Sequence, residues 1–190
     1  MKIAVIGCGR GGSLITWYLD RIGHQVTLHG RESSARMQRF LSERRNDLLE
    51  LPASVGLTTD IADVARAETV IISVGSQGLQ ALMDQLKPLE LREKIFVLCM
   101  KGLEIGTGRR LSQIAAENLD GSNAVAVWLG PGHVQEFYRG IPNCLPQVKA
   151  IYPAFDVTPP ELIAGIVTDK GVYDPGQLDR YFDGEVCAFY

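Results

Sequence analysis

The chain has 190 residues, of which 46% are hydrophobic and 22% charged, and a formal net charge of -3. Those proportions are ordinary for a folded globular protein. The near-balanced charge offers no footing for a nucleic-acid or anionic-membrane partner, and no apolar run is long enough to span a bilayer.

Lys2-Ile3-Ala4-Val5-Ile6 is a short branched apolar run that predicts a buried strand, and Gly7-Cys8-Gly9-Arg10-Gly11-Gly12 follows at once. The apolar run is too short for a signal peptide and ends in glycines. From Ser13 to about Ile22 the pattern is helical, with Leu14, Ile15, Tyr18, Leu19 and Ile22 on one face and Gly23 as the stop. Strand, G-x-G-x-x-G turn and helix in that order point to a dinucleotide. Gly7 allows the tight turn, Gly9 lets a pyrophosphate approach the backbone, and Gly12 lets the helix pack on the strand. The N–H groups opening the helix face the phosphates, where the helix dipole favours negative charge.

Gln25 to His29 predicts the second parallel strand. A carboxylate just after such a strand takes the ribose 2′-hydroxyl of NAD, whereas an arginine suits the 2′-phosphate of NADP. Here Gly30-Arg31 stands there, with Glu32 one place on. Arg31 can pair bidentately with a phosphate, so NADP(H) is favoured over NAD(H). Ser33 to Arg45 reads as a basic amphipathic helix with Met37, Phe40 and Leu41 inward and Arg36, Arg39, Arg44 and Arg45 outward.

Asn46 to Leu57 reads as loop, and Asp60 caps a short helix to about Ala67. Thr69 to Val74 and Lys94 to Cys99 read as buried strands, the first closing in Gly75-Ser76-Gln77 and the second in Met100-Lys101-Gly102. Helices follow at Gln80 to Leu86 and Arg109 to Leu119. A further strand, Ala124 to Leu129, ends in Gly130-Pro131-Gly132-His133. This alternation predicts an α/β fold with a doubly wound, mostly parallel, Rossmann-like sheet. The loops after the strands then converge on its carboxyl edge, where ligands sit. Lys101 is placed to hold a substrate phosphate as a point charge. His133 is either a loop histidine or a proton carrier. Cys8, Cys99, Cys144 and Cys187 are scattered, with no CxxC pair and no histidine at ligand spacing. They read as reduced thiols without a metal, in a cytoplasmic protein.

Several stretches resemble the bacterial NAD(P)-dependent glycerol-3-phosphate dehydrogenases: Met1 to Gly7, Gly23 to Leu28, Gly30-Arg31, Ser76-Gln77, Lys101 to Gly108, Gly130-Pro131 and Arg139 to Asn143. The resemblance covers residues 1–145. It implies a cofactor site that includes Gly7, Gly9, Arg10, Gly11, Gly12 and Arg31, with Lys101 touching both cofactor and substrate phosphate. It also places Gly130 against the substrate and Val134 at a cofactor contact. The sequence departs from the family inside the glycine turn, where Arg10 and Gly11 replace a serine and an aromatic residue, and at Gly132, where the family has serine. The family's catalytic lysine belongs to a following helical domain whose pattern this chain lacks after Asn143, so its own catalytic residues are unknown.

Tyr152 to Ile163 and Ile166 to Val172 are instead similar to the C-terminal end of methylthioribose-1-phosphate isomerases and translation initiation factor 2B regulatory subunits. Thr158 as N-cap, Pro159 at the first helical position and Glu161 completing a capping box predict a helix to about Lys170. The expected organisation is a dinucleotide-binding domain over 1–145 and a short helical appendage over 146–190. The expected function is that of a glycerol-3-phosphate dehydrogenase-type oxidoreductase, represented by its cofactor-binding portion. A non-catalytic NADP(H)-binding module is the alternative, and a sugar-phosphate isomerase or 2B-like module ranks third. Expected partners are the nucleotide and a small phosphorylated substrate, with a homo-oligomer as a further option.

Overall fold

Short β-branched runs separated by helical stretches can pair only in parallel, because each return crosses over the sheet as a helix. The computed structural model describes residues 1–128, Tyr138 and the backbone of 166–168 and 171–173. Within it, β1 (Lys2–Ile6), β2 (Gln25–His29), β3 (Gly56–Thr58), β4 (Thr69–Ile72), β5 (Ile95–Leu98) and β6 (Ala124–Val127) form one parallel sheet in the order β3-β2-β1-β4-β5-β6. The helices are α1 (Arg10–Arg21), α2 (Ala35–Glu43), α3 (Leu79–Leu86) and α4 (Leu111–Asn118). A 3-10 turn at Ile61–Arg66 leads into β4. The Asp60 side chain caps it by accepting from the Ala62 N–H at 2.9 Å.

Both sheet faces are buried, and the two-residue period of the strands divides them. Ala4, Ile6, Val70, Ile72, Phe96 and Leu98 pack against α3, α4 and the 3-10 turn. Ile3, Val5, Val26, Leu28 and Ile71 pack against α2 and the loop that carries Leu49, Leu51 and Val55. The strand order reverses between β1 and β4, which opens a crevice at their carboxyl ends.

Four expectations need correction. The buried stripe of α1 is Gly12, Ser13 and Thr16, while Tyr18 and Ile22 are about half exposed (49% and 51%). The helix crosses β1 at a distance that only small residues permit, so the larger apolar side chains are pushed to its flanks. Ser13 Oγ donates to the Arg10 carbonyl and accepts from Asn46 Nδ2, and Thr16 Oγ1 donates to the Gly12 carbonyl, so the buried hydroxyls are satisfied. Outside that stripe, the Arg21 guanidinium lies over the Trp17 ring, and Tyr138 meets the same ring edge-on at 4.7 Å.

In α2, Met37 and Phe40 are fully buried but Leu41 is 45% exposed, because the helix ends two residues later and Arg44 turns the chain in a left-handed conformation (φ 56°). The stretch expected as loop over 46–57 ends in the edge strand β3. Its course is pinned by the Arg44 guanidinium, which donates to the carbonyls of Leu51, Pro52 and Val55.

The chain divides into two compact units, Met1–Asn143 and Cys144–Tyr190. In the second, β7 (Ile166–Thr168) pairs antiparallel with β8 (Gly171–Tyr173), where a helix running to Lys170 was expected. Ile166-Val167-Thr168 and Val172-Tyr173 are β-branched and aromatic. These local preferences favour a hairpin and override the upstream capping signal. The capping residues Thr158 to Glu161 lie outside the described residues.

Candidate dinucleotide cleft

The carboxyl ends of β1, β2 and β4 frame a cleft of about 600 Å³. Its floor is the glycine turn. Gly7 sits at φ +115°, its N–H donates to the His29 carbonyl at 2.9 Å, and a Cβ there would stand 2.2 Å from the Ser73 carbonyl oxygen. A Cβ on Gly12 would stand 1.8 Å from the Gly7 carbonyl oxygen. The protein's own backbone therefore demands glycine at both positions.

Gly9 is different. Its φ of -75° suits any residue, and a Cβ there would meet nothing within 4 Å. What it keeps open is the cleft itself, directly over the start of α1. No side chain caps that helix, no acidic residue sits in its first turn, and its first internal bond runs from the Ser13 N–H to the Gly9 carbonyl. The N–H groups of Arg10, Gly11 and Gly12 thus lack intrahelical acceptors, at the positive end of the helix dipole. This cradle fits a pyrophosphate, the group that the motif implies.

The charges around the cleft point the same way. Arg10, Arg31 and Arg36 all line it, and none makes a hydrogen bond or close ion pair among the described residues, although Arg10 lies near enough to Asp47 to help hold that carboxyl low. Every other arginine of residues 1–128 is engaged. Arg39, Arg45, Arg66, Arg92 and Arg109 hold carboxylates. Arg44 holds carbonyls, Arg110 holds the Gln113 amide, and Arg21 lies on Trp17. Guanidinium groups without a close partner, gathered round one cleft, suit it to an anion of several charges.

At the exit of β2, a Cβ on Gly30 would stand 2.8 Å from Met37 Sδ, 2.9 Å from Met37 Cβ and 2.9 Å from Cys8 Sγ. No carboxylate-bearing side chain fits there as the site is packed, and Arg31 is the next residue out. Ser34, the N-cap of α2, also lines the cleft, with no side-chain cap bond and its Oγ 3.6 Å from Cys8 Sγ.

Among the lining residues, His29 and Gly78 were not read as site residues in the sequence. His29 is 4% exposed, and burial holds its pKa below the usual 6.5 against the opposing pull of a Thr59 backbone hydrogen bond, Asp60 and Asp63. Its Nδ1 has no partner among the described residues. A histidine closing an otherwise apolar strand was the available signal. Gly75 and Gly78, like Gly9, would point a Cβ into open space. The signal for Gly78 was two glycines within four residues after a buried strand.

Lys101 stands exposed beyond the end of β5 and does not line the cleft. Gly102 follows at φ +107°, packed near Ser76. From there to Arg110 the chain forms a compact loop with Gly106 and Gly108 also at positive φ, closed by the bridge Leu103 to Arg110 and by the Arg109–Glu104 ion pair at 2.9 Å. The hydrogen bonds and the nearby guanidinium hold the Glu104 carboxyl below its ordinary range. Gly130, His133 and Val134 lie outside the described residues. Burial pushes the Cys99 thiol up to about 11, far from thiolate reactivity. Among the described residues, no group of three or more His, Cys, Asp or Glu is disposed to hold a metal.

Comparison with known families decides the affiliation. Residues 2–146 match the model of the NAD-dependent glycerol-3-phosphate dehydrogenase N-terminus. The chain belongs to that family. A glycerol-3-phosphate dehydrogenase [NAD(P)+] from Thermoanaerobacter sp. is 36% identical over 147 residues, covering 75% of this chain and 44% of the relative. One from Bradyrhizobium sp. is 32% identical over 146 residues, again 75% and 44%. The crystal structure of glycerol-3-phosphate dehydrogenase from Coxiella burnetii superposes with a TM-score of 0.66 at 25% identity, covering 73% of this chain and 43% of that one. The yeast enzyme shares the fold, with a TM-score of 0.62 at 19% identity. The chain thus spans less than half the length of the curated relatives that it matches.

Proposed function

We propose that this cleft binds NADP(H) in preference to NAD(H). In this reading the chain is the cofactor-holding part of an oxidoreductase acting between dihydroxyacetone phosphate and sn-glycerol 3-phosphate. The observation that carries the cofactor preference is the set of guanidinium groups without a close partner round a cleft whose residue 30 is too tightly packed to bear a carboxylate. The backbone of Gly9 to Gly12 receives the pyrophosphate, with Arg10 beside it. Arg31, with Arg36 and Ser34 behind it, receives the 2′-phosphate. The nicotinamide, when bound, supplies or takes the hydride. The protein's share is to hold the dinucleotide along the sheet edge and to screen its charge. Family membership supports Lys101 and Gly130 as substrate contacts and Val134 as a further cofactor contact.

A second reading, a binding module without turnover, is favoured by one observation: Lys101 stands outside the cleft. Residues 146–190 are proposed as an appendage of separate family character, by their likeness to the isomerase and 2B regulatory-subunit termini. The reduced, scattered cysteines support a cytoplasmic setting.

Calorimetric titration of NADPH and NADH into the wild type and Arg31→Ala tests the cofactor reading. The variant should lose about tenfold or more in NADPH affinity, as expected for one charge-assisted phosphate contact, with NADH changed by no more than about twofold. Equal binding of both nucleotides by the wild type rejects the preference. Substrate-dependent oxidation of NADPH by the 190-residue chain separates the enzyme from the module.

A further inference from the structure

The two loops that meet beyond β4 and β5 are joined by one side chain. Gln77, in the 3-10 turn Ser76–Gly78, stretches across to the Lys101–Arg110 loop. Its Nε2 donates to the Leu103 carbonyl at 2.9 Å, and its Oε1 accepts from the Ile105 N–H at 2.9 Å. The carboxamide therefore pairs with this loop as a neighbouring strand would, satisfying one donor and one acceptor of residues two apart. Nε2 also reaches Ser76 Oγ at 3.1 Å, which steadies the amide from its own side.

The placement matters because of what flanks it. Gly75 and Gly78, on either side of Gln77, line the dinucleotide cleft. On the far side, Gly102 at φ +107° separates the clamped Leu103 from Lys101. A glycine at that φ lets the chain pivot, and with Leu103 and Ile105 held, the pivot is fixed from one end. Leu103 and Ile105 are 54% and 82% exposed, so polar contacts anchor this segment: the Leu103–Arg110 bridge and the Arg109–Glu104 pair close the loop on itself, and the Gln77 clamp ties it to the β4 side.

We infer that Gln77 is a positioning residue: it sets the Lys101 loop against the cofactor cleft, so that one phosphate-bearing substrate and the dinucleotide meet at a fixed spacing. This rests on the proposed role of Lys101. Side-chain hydrogen bonds of this kind contribute modestly each, so losing both should move phosphate-ligand affinity about five- to tenfold. NADPH affinity, held mainly by the glycine turn and the arginines across the cleft, should change less than the affinity for the phosphate ligand.

The test uses the full chain as wild type, Gln77→Ala, Lys101→Met and the double variant. Two quantities are measured: affinity of the NADPH-saturated protein for glycerol 3-phosphate, and the rate at which Lys101 is acetylated relative to Lys2 and Lys87. Gln77→Ala should weaken glycerol 3-phosphate about five- to tenfold in the Lys101 background and have no further effect once Lys101 is methionine, the signature of action through the lysine. Its Lys101 acetylation rate should differ from wild type while the reference lysines hold theirs. Additive losses in the double variant, or an unchanged Lys101 rate, overturn the inference. If wild type binds no glycerol 3-phosphate but Gln77→Ala still alters the Lys101 rate, the substrate reading falls and the positioning role stands.

Discussion

Glycine carries three distinct duties within six residues, and each leaves a different experimental mark. Gly12→Ala drives a methyl group into the Gly7 carbonyl and should destabilise the fold by about 3 kcal/mol or more, since backbone cannot yield as a side-chain tip does. Gly9→Ala meets nothing, at a φ that alanine accepts, and should leave the melting temperature nearly unchanged. Its cost falls on the ligand: NADPH affinity should drop about tenfold or more as the methyl takes the room of a pyrophosphate oxygen. A melting scan and a nucleotide titration on the two variants check this; matched losses in both assays would deny Gly9 a ligand role. The motif itself was plain in the sequence. So was the expected division of its glycines between turn, ligand and helix packing; the close approach of the Ser73 carbonyl to Gly7 was not, because it comes from a distant segment.

At the scale of elements, the local signals were reliable wherever the structure they specify is local. Gly23 is legible as a helix stop, and it forms one: its N–H donates to the Asp20 carbonyl and the His24 N–H to the Leu19 carbonyl, with Gly23 at φ +91°. Asp60 likewise caps the turn that it was expected to cap. The misreadings share one cause, which is that they concern what an element packs against. Apolar periodicity assigned the inward face of α1 to its largest side chains, but close approach to β1 reserves that face for Gly12, Ser13 and Thr16. β3 carries Gly56 and has three residues; it exists because β2 offers it an edge. Around Ile166 the cap signal and the β-branched run disagreed, and pairing with Gly171–Tyr173 decided the outcome.

For the whole molecule, a parallel sheet with its strand-end loops on one edge follows from the alternation of strands and helices together with right-handed crossovers, while the strand order and its reversal between β1 and β4 show only in the structure. The identity of the arginines without a close partner was not legible either, because Arg36 and Arg39 look alike in sequence and differ only in that Asp47 and Glu43 reach one of them. Global stability should also report on His29. Its ring is buried and its pKa depressed, so on acidification the unfolded chain takes up a proton first, near 6.5, while the folded chain resists. The unfolded state then binds more protons, and stability falls as pH drops below about 6.5, with the full contribution present above it. The melting temperature of wild type minus that of His29→Phe should fall as the pH drops from 7.5 to 5, and a constant difference would exclude the histidine as the source.

The crowding at Gly30 has a consequence for how this chain could acquire a different nucleotide appetite. Any residue other than glycine must displace the thioether of Met37 and the thiol of Cys8, one from the helix behind and one from the phosphate turn itself. Gly30→Asp alone should therefore cost more in folding than it returns in NADH affinity, whereas coupling it with Met37→Ala vacates the space the carboxylate needs; denaturation midpoints and NADH titrations of the single and double variants would register the difference. If the cleft takes NADP(H) as proposed, that choice rests on the hydrophobic layer beneath the ligand, and a change of coenzyme would have to be made from the core outward.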